Sequence, residues 1–136
     1  MLPCERVGSA TADVDNFHNG GVGYLLDIDT GIVKRQGVDI NGNNHIYHPS
    51  SGELMLGFQI PNWDNLKRFV ISAAKKFKGS RYIAWDVAVL EDGFEFVEGN
   101  YMGDPGFLQA VDKVGKREIF KELGWYNDFW YGKSPR

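Results

Sequence analysis

Residues 82–100, YIAWDVAVLEDGFEFVEGN, decide how this chain folds. Two apolar-rich runs flank the short segment Glu91-Asp92-Gly93, which is the pattern of a β-hairpin. Side chains alternate faces along a strand, so Ile83, Trp85, Val87 and Val89 share one side. Tyr82, Ala84, Asp86 and Ala88 share the other. The first set is bulky and apolar and is expected to meet a core. The second places Asp86 between two alanines. On the return strand, Glu98 and Asn100 lie two apart and so share a face.

Register decides whether these acids meet. A two-residue turn at Asp92-Gly93 pairs Glu91 with Phe94, sets Asp86 opposite Gly99 and turns Glu98 away. A three-residue loop over Glu91-Asp92-Gly93, with Gly93 left-handed, pairs Leu90 with Phe94 and Asp86 with Glu98. The second register is preferred. It sets Trp85 against Gly99 and yields a consistent apolar face of Ile83, Trp85, Val87, Val89 and Val97. Two carboxylates directly opposite on a sheet repel each other. They call for a cation or a shared proton. With the Asn100 oxygen one step along and small alanines around, the three side chains form a candidate Mg²⁺ site. The same residues also admit two other readings. One is the solvent face of an amphipathic hairpin. The other is an acid–base pair for glycoside cleavage, although nothing else in the chain builds a sugar cleft.

Upstream of the hairpin, the spacing predicts a helix from about Trp63 to Lys78. Asn62 is its N-cap, Asp64 lies in its first turn, and Gly79 ends it. Leu66, Phe69, Val70, Ala73 and Phe77 form its apolar stripe, read as core. Lys75, Lys76 and Lys78 fall in the last turn, where cations suit the helix dipole. Further upstream, VGYLLD (22–27) and IVKRQGV (32–38) read as a second hairpin turned at Asp29-Thr30-Gly31. Lys34 and Arg35 on it are read as exposed strand charges, with phosphate or substrate-carboxylate contact as the sharper alternative. Residues 39–53 are rich in Asn, Gly and Ser and read as a loop. Its His45 and His48 form H-x-x-H, but zinc would need further ligands; substrate contact is the other option for His48. Downstream, Tyr101 to Gly106 read as a glycine-rich loop, and Val114–Leu123 as a short helix capped by Gly124. The tail, with Trp125, Tyr126, Phe129, Trp130 and Tyr131, is read as packing on its own domain, with sugar stacking or a partner chain as alternatives.

Composition narrows the class. With 136 residues, 43% of them apolar, the chain can bury one core. A net charge of −3, from 15 basic and 18 acidic side chains, does not suggest a nucleic-acid surface. Cys4 is the only cysteine, so no internal disulfide forms; it has no nearby base to activate it. No run approaches the roughly 20 apolar residues of a membrane span, and the first residues lack a signal-peptide pattern. A soluble cytoplasmic protein of α+β type is expected, with an antiparallel sheet and flanking helices.

The hairpin segment, with Asp86 followed by Glu98-Gly99-Asn100, resembles the metal-binding hairpin of ATP-grasp enzymes. VDNFHNGGVG (14–23) resembles the Asn- and Gly-rich stretch that precedes it there. HPSSG, FQIPNW and DPGFLQ resemble patterns of the sugar-transfer-associated branch. The likeness runs from about residue 13 to about residue 109. It implies an ATP-grasp C-terminal catalytic subdomain over residues 13–110. Residues 1–12 then form an N-terminal segment, expected to be truncated, and 111–136 a C-terminal helix and aromatic tail. It implies ATP- and Mg²⁺-dependent ligation of a small carboxylate or glycan substrate through an acyl phosphate, in glycan or cell-envelope biosynthesis. Asp86, Glu98 and Asn100 become metal ligands and catalytic residues. Asn16, His18, Asn19, Gly20 and Gly21 come to lie near the triphosphate, where successive backbone N–H groups form an anion nest. Two departures stand out. No lysine-bearing subdomain precedes residue 13, and Ala84 stands where peptide-ligase members often carry arginine. The chain is therefore expected to be a C-terminal fragment that needs an N-terminal subdomain or self-associates. The runner-up expectation is a non-catalytic remnant acting as a binding module. A sugar-binding module using the aromatic tail is a third.

Overall fold

The computed structural model describes residues 4–7, 17–77, 82–101 and 103–124. Their strands are β1 (Cys4–Val7), β2 (Val22–Leu25), β3 (Gly37–Val38), β4 (Asn44–His45), β5 (Ile83–Leu90) and β6 (Gly93–Tyr101). The α-helices are α1 (Trp63–Ala74), α2 (Pro105–Asp112) and α3 (Arg117–Glu122), and a 3₁₀ turn covers Phe17–Asn19. Helices with small antiparallel sheets make the fold α+β, as expected. The chain divides into two compact units. One holds the residues up to Trp63 together with 106–113; the other holds 64–105 and 114 onward.

The first unit is built on a four-stranded antiparallel sheet in the order β1-β2-β3-β4. The expected hairpin is present at its turn: Leu26 pairs with Val33, and the Asp27 N–H donates to the Ile32 carbonyl at 2.8 Å. Residues 32–38 are not one strand, however. Ile32 bridges Gln59, and only Gly37–Val38 belong to the sheet. Phe17, Val22, Tyr24, Leu26, Val33, Val38, Met55, Ile60, Trp63 and Val111 are buried. Burying such side chains stabilises by about 1.5–3 kcal/mol each before entropy is charged. Gly31, at φ 71, turns the chain where a Cβ would lie 2.5 Å from the Trp63 ring. The Trp63 indole N–H donates to the Ile28 carbonyl at 2.9 Å.

Residues 39–53 carry more order than a plain loop. Asp39 accepts the backbone N–H groups of Asn41 and Asn43, each at 2.9 Å, and the Asn43 amide at 2.9 Å. His45 Nε2 lies 3.0 Å from Oδ2, the oxygen that also accepts the Asn43 amide. Burial pushes the Asp39 carboxyl up, but hydrogen bonds from Asn43, His45 and Asn41 together outweigh it and hold the group well below the usual carboxylate range. His48 Nδ1 accepts the N–H groups of Ser50 and Ser51 at 3.1 Å. Each histidine of H-x-x-H thus closes its own turn.

In the second unit α1 is shorter than expected, ending at Ala74. Lys76 and Phe77 donate to carbonyls three residues back, which tightens the exit. Asn62 has φ 54, a left-handed value rather than the extended backbone of an N-cap. Of the stripe, Phe69 stacks on Phe96 at 4.4 Å and meets Phe94 at 5.8 Å, while Phe77 meets Trp85 edge-on at 5.3 Å. The stripe is half-buried at Leu66, Phe69, Val70 and Ala73, and Phe77 is exposed. α3 begins at Arg117, three residues later than expected, and Gly124 at φ 72 follows its end as foreseen. α2 was not foreseen. Asp104-Pro105 carries its start signal, a favoured cap residue before a first-turn proline. Lys78, Gly79 and the aromatic tail lie outside the described residues.

Candidate functional site

The hairpin reaches its expected pairing by an unexpected route. Glu91 and Asp92 form a two-residue turn, so Leu90 pairs with Gly93, Val89 with Phe94 and Val87 with Phe96. Neither the three-residue loop nor a turn at Asp92-Gly93 is used. A bulge then shifts the register between Val87 and Asp86, and from there Asp86 opposes Glu98, Trp85 opposes Gly99 and Ala84 opposes Asn100. The extra residue is Val97, 68% exposed, so it leaves the expected apolar face. Phe94 and Phe96 take that face instead, with Phe96 4.8 Å from Trp85.

The physical reason is parity. In F-E-F-V-E-G-N both phenylalanines want the core, and so does Gly99, which accommodates Trp85. A Cβ at Gly99 would lie 2.7 Å from the indole. Phe96 and Gly99 are three apart and would fall on opposite faces of a regular strand. One unpaired residue between them resolves the conflict.

Directly opposed residues of an antiparallel pair share a face, so Asp86 and Glu98 stand together. The Asn100 Nδ2 donates to Glu98 Oε1 at 2.7 Å. Asp86 is half-buried, whereas Glu98 and Asn100 are exposed. Ala84 and Ala88 keep this face low. The donors are two carboxylates and a carboxamide, the hard oxygens that magnesium takes. The residues therefore fit the ion by chemistry and by register. Among the described residues no group of three or more His, Cys, Asp and Glu gathers for a metal, so any such site depends on the amide oxygen, water or substrate as well.

The remaining candidates lie in the first unit. Phe17 is buried against Phe107, ring centres 4.8 Å apart, which anchors the 3₁₀ turn. His18 is exposed on it and meets the Phe17 ring edge-on. Asn19 closes the turn. Gly20 follows with φ 92 and is exposed, while Gly21 is buried. Gly23 has a packing role: a Cβ there would lie 2.5 Å from Val111 and 2.7 Å from Phe107 on α2. Asn16 lies outside the described residues.

The family described as sugar-transfer associated ATP-grasp matches residues 2–123. The chain belongs to that family. Its function is accordingly of the ATP-grasp type, in a sugar-transfer setting. No curated protein and no solved structure matches it. Among the described residues of this ATP-grasp chain, no helix is long and apolar enough to cross a membrane.

Proposed function

We propose that this chain supplies the metal- and phosphate-binding part of an ATP- and Mg²⁺-dependent carboxylate ligase. The segment 13–110 carries that role, in the cytoplasm, in the assembly of a glycan or cell-envelope product. The observation that supports the reading is the hairpin register, with Asp86 opposite Glu98 and Asn100 bonded to Glu98.

In this reading a substrate carboxylate oxygen attacks the γ-phosphorus of ATP, and ADP leaves. An amine or other nucleophile then attacks the acyl carbon, and phosphate leaves. Asp86 and Glu98 present their oxygens where the triphosphate approaches. Asn100, by donating to Glu98, fixes the rotamer of that carboxylate. Asn16, His18, Asn19 and the Gly20-Gly21 backbone donate to phosphate oxygens. Magnesium, when bound, neutralises phosphate charge and orients the transfer.

The test is the melting temperature with and without Mg²⁺-ATP, beside the Asp86→Ala/Glu98→Ala double variant. Ligand at a hundredfold excess over its dissociation constant stabilises by about 2.7 kcal/mol. A rise that requires Mg²⁺ and disappears in the double variant is expected. A rise that ignores Mg²⁺ would favour a non-catalytic binding module, and no rise would remove nucleotide binding from this chain.

A further inference from the structure

We infer that the outer edge of β5 docks a second copy of this chain, the two β5 strands pairing antiparallel about a two-fold axis at Val87. This pairing needs neither the metal nor the nucleotide.

Half of the β5 backbone is unpaired. β5 and β6 form a two-stranded sheet, so β5 has one bonded side and one open side. Leu90 and Gly93 close a two-residue turn, and such a closing pair exchanges both hydrogen bonds. Bonding direction alternates along a strand, so Ala84, Asp86, Ala88 and Leu90 turn their N–H and C=O groups to β6. Ile83, Trp85, Val87 and Val89 turn theirs away. Among the described residues, no other backbone group bonds to these four. The ring contact of Tyr82 with Phe120 falls before the strand begins and three residues short of Trp85. An unpaired strand edge is a template for another chain.

The two edges of the hairpin differ. β6 carries Glu95, Glu98 and the bulge at Val97, and charges and bulges are what blunt an edge. β5 carries one charge, Asp86, in eight residues, with no proline and no extra residue. Its apolar side is also incompletely covered. α1 leans on β6, where Phe69 meets Phe94 and Phe96. Val89 stays 40% exposed, and Phe77, beside Trp85, 52% exposed.

Register names the occupant. The open groups recur at every second residue, so a two-fold axis that matches open groups to open groups falls on a residue. Centred on Val87, it sets Val87 against Val87, Trp85 against Val89 and Asp86 against Ala88 of the second copy. Opposed residues share a face, so the two apolar sides become continuous and the lone acid meets alanine. Centred on Asp86, it would oppose two aspartates, which is destabilising. Centred on Ala88, it would shorten the overlap to residues 86–90. The product is a four-stranded sheet, β6-β5-β5-β6. Three or more strands with an apolar face are what an isolated hairpin lacks.

The experiment measures the mass of the full chain by sedimentation equilibrium over a range of concentrations, without Mg²⁺ or ATP. Twice the 15.3 kDa of one chain is expected at the upper end, and nothing larger, because the two-fold uses up the open edge. Val87→Pro deletes the outward N–H at the axis and leaves the ladder to β6 intact. It is expected to sediment as a single chain with an unchanged far-UV circular dichroism spectrum. Val89→Lys sets a charge against Trp85 of the second copy and is expected to raise the dissociation constant by roughly tenfold or more; it decides the question if Val87→Pro does not fold. Val97→Lys, on the exposed bulge of β6, is expected to stay dimeric. A single-chain mass for the unaltered protein at every concentration, a dimer that Val89→Lys leaves equally tight, or one that Val97→Lys dissociates would each overturn the proposal.

Discussion

The two units solve the burial problem differently. The first seals the centre of its core: Tyr24 is 0% exposed and Val22 and Val33 are 1% exposed. It does so with short strands held by side-chain-capped turns, such as Asp27 over Asp29-Thr30 and Asp39 over Asn41 and Asn43. The second unit has long strands with a single bulge, yet Phe120 is its one fully covered apolar side chain among the described residues. Its rings, Phe69, Phe77, Trp85, Phe94 and Phe96, meet one another with much of their surface still open. A long hairpin is therefore no sign of a closed core. Two strands offer a single ladder, and independent stability takes a third strand or a packed helix.

Three tests bear on that contrast. The largest effect is expected from the two tryptophans. Trp63→Ala removes a buried ring with a hydrogen bond and should cost about 3–5 kcal/mol in chemical denaturation. Trp85→Ala, on the half-covered side, should cost roughly 1–3 kcal/mol, since a side chain already partly in water loses less. Equal costs would break the comparison.

Acid comes next. Hydrogen bonds from the Thr30 backbone and the Lys34 and Thr30 side chains lower the Asp27 carboxyl from 3.8 to about 2, and Asp39 is lowered too. A carboxylate depressed in the folded state stabilises it fully above the unfolded value. That contribution fades as pH falls through the folded value. Both groups belong to the first unit. Its amides should therefore lose hydrogen-exchange protection as pH falls from about 5 towards 2, and Asp39→Asn should flatten that dependence. Earlier loss in the second unit would reverse the assignment.

The smallest effect is expected at the bulge. Val97→Thr should change stability by no more than about 0.5 kcal/mol, as exposed substitutions do. A cost near 2 kcal/mol would return Val97 to a buried face.

Periodicity made the long elements legible in the sequence. α1, β5 and β6 were readable because Phe69 and Trp85 recur on their own faces. The pairing of Asp86 with Glu98 was also readable, but its cause was not. Counting back from the turn could not separate a three-residue loop from a two-residue turn followed by a bulge. The hidden signal was Phe94 and Phe96, which the three-residue register would have turned outward. α2 escaped because Gly103 and Gly106 drew attention away from Asp104-Pro105. Arg35, which is half-buried, was read as exposed because strand alternation was extended across residues 32–38, of which only Gly37–Val38 join the sheet. The partners of Asp39 come from side-chain-to-backbone bonds over a few residues, which composition alone does not reveal.

The bulge also bears on how such hairpins can vary in length. The separation between the two acids measures the residues held in turn and bulge together, not the acids' relation to each other. A chain one residue shorter here keeps its carboxylates face to face by dropping Val97. One that gains a residue while turn and bulge keep their sizes sends Glu98 to the side of Trp85. What the chemistry holds fixed is which residues stand opposite; the number of residues between them is free to change wherever a compensating irregularity exists.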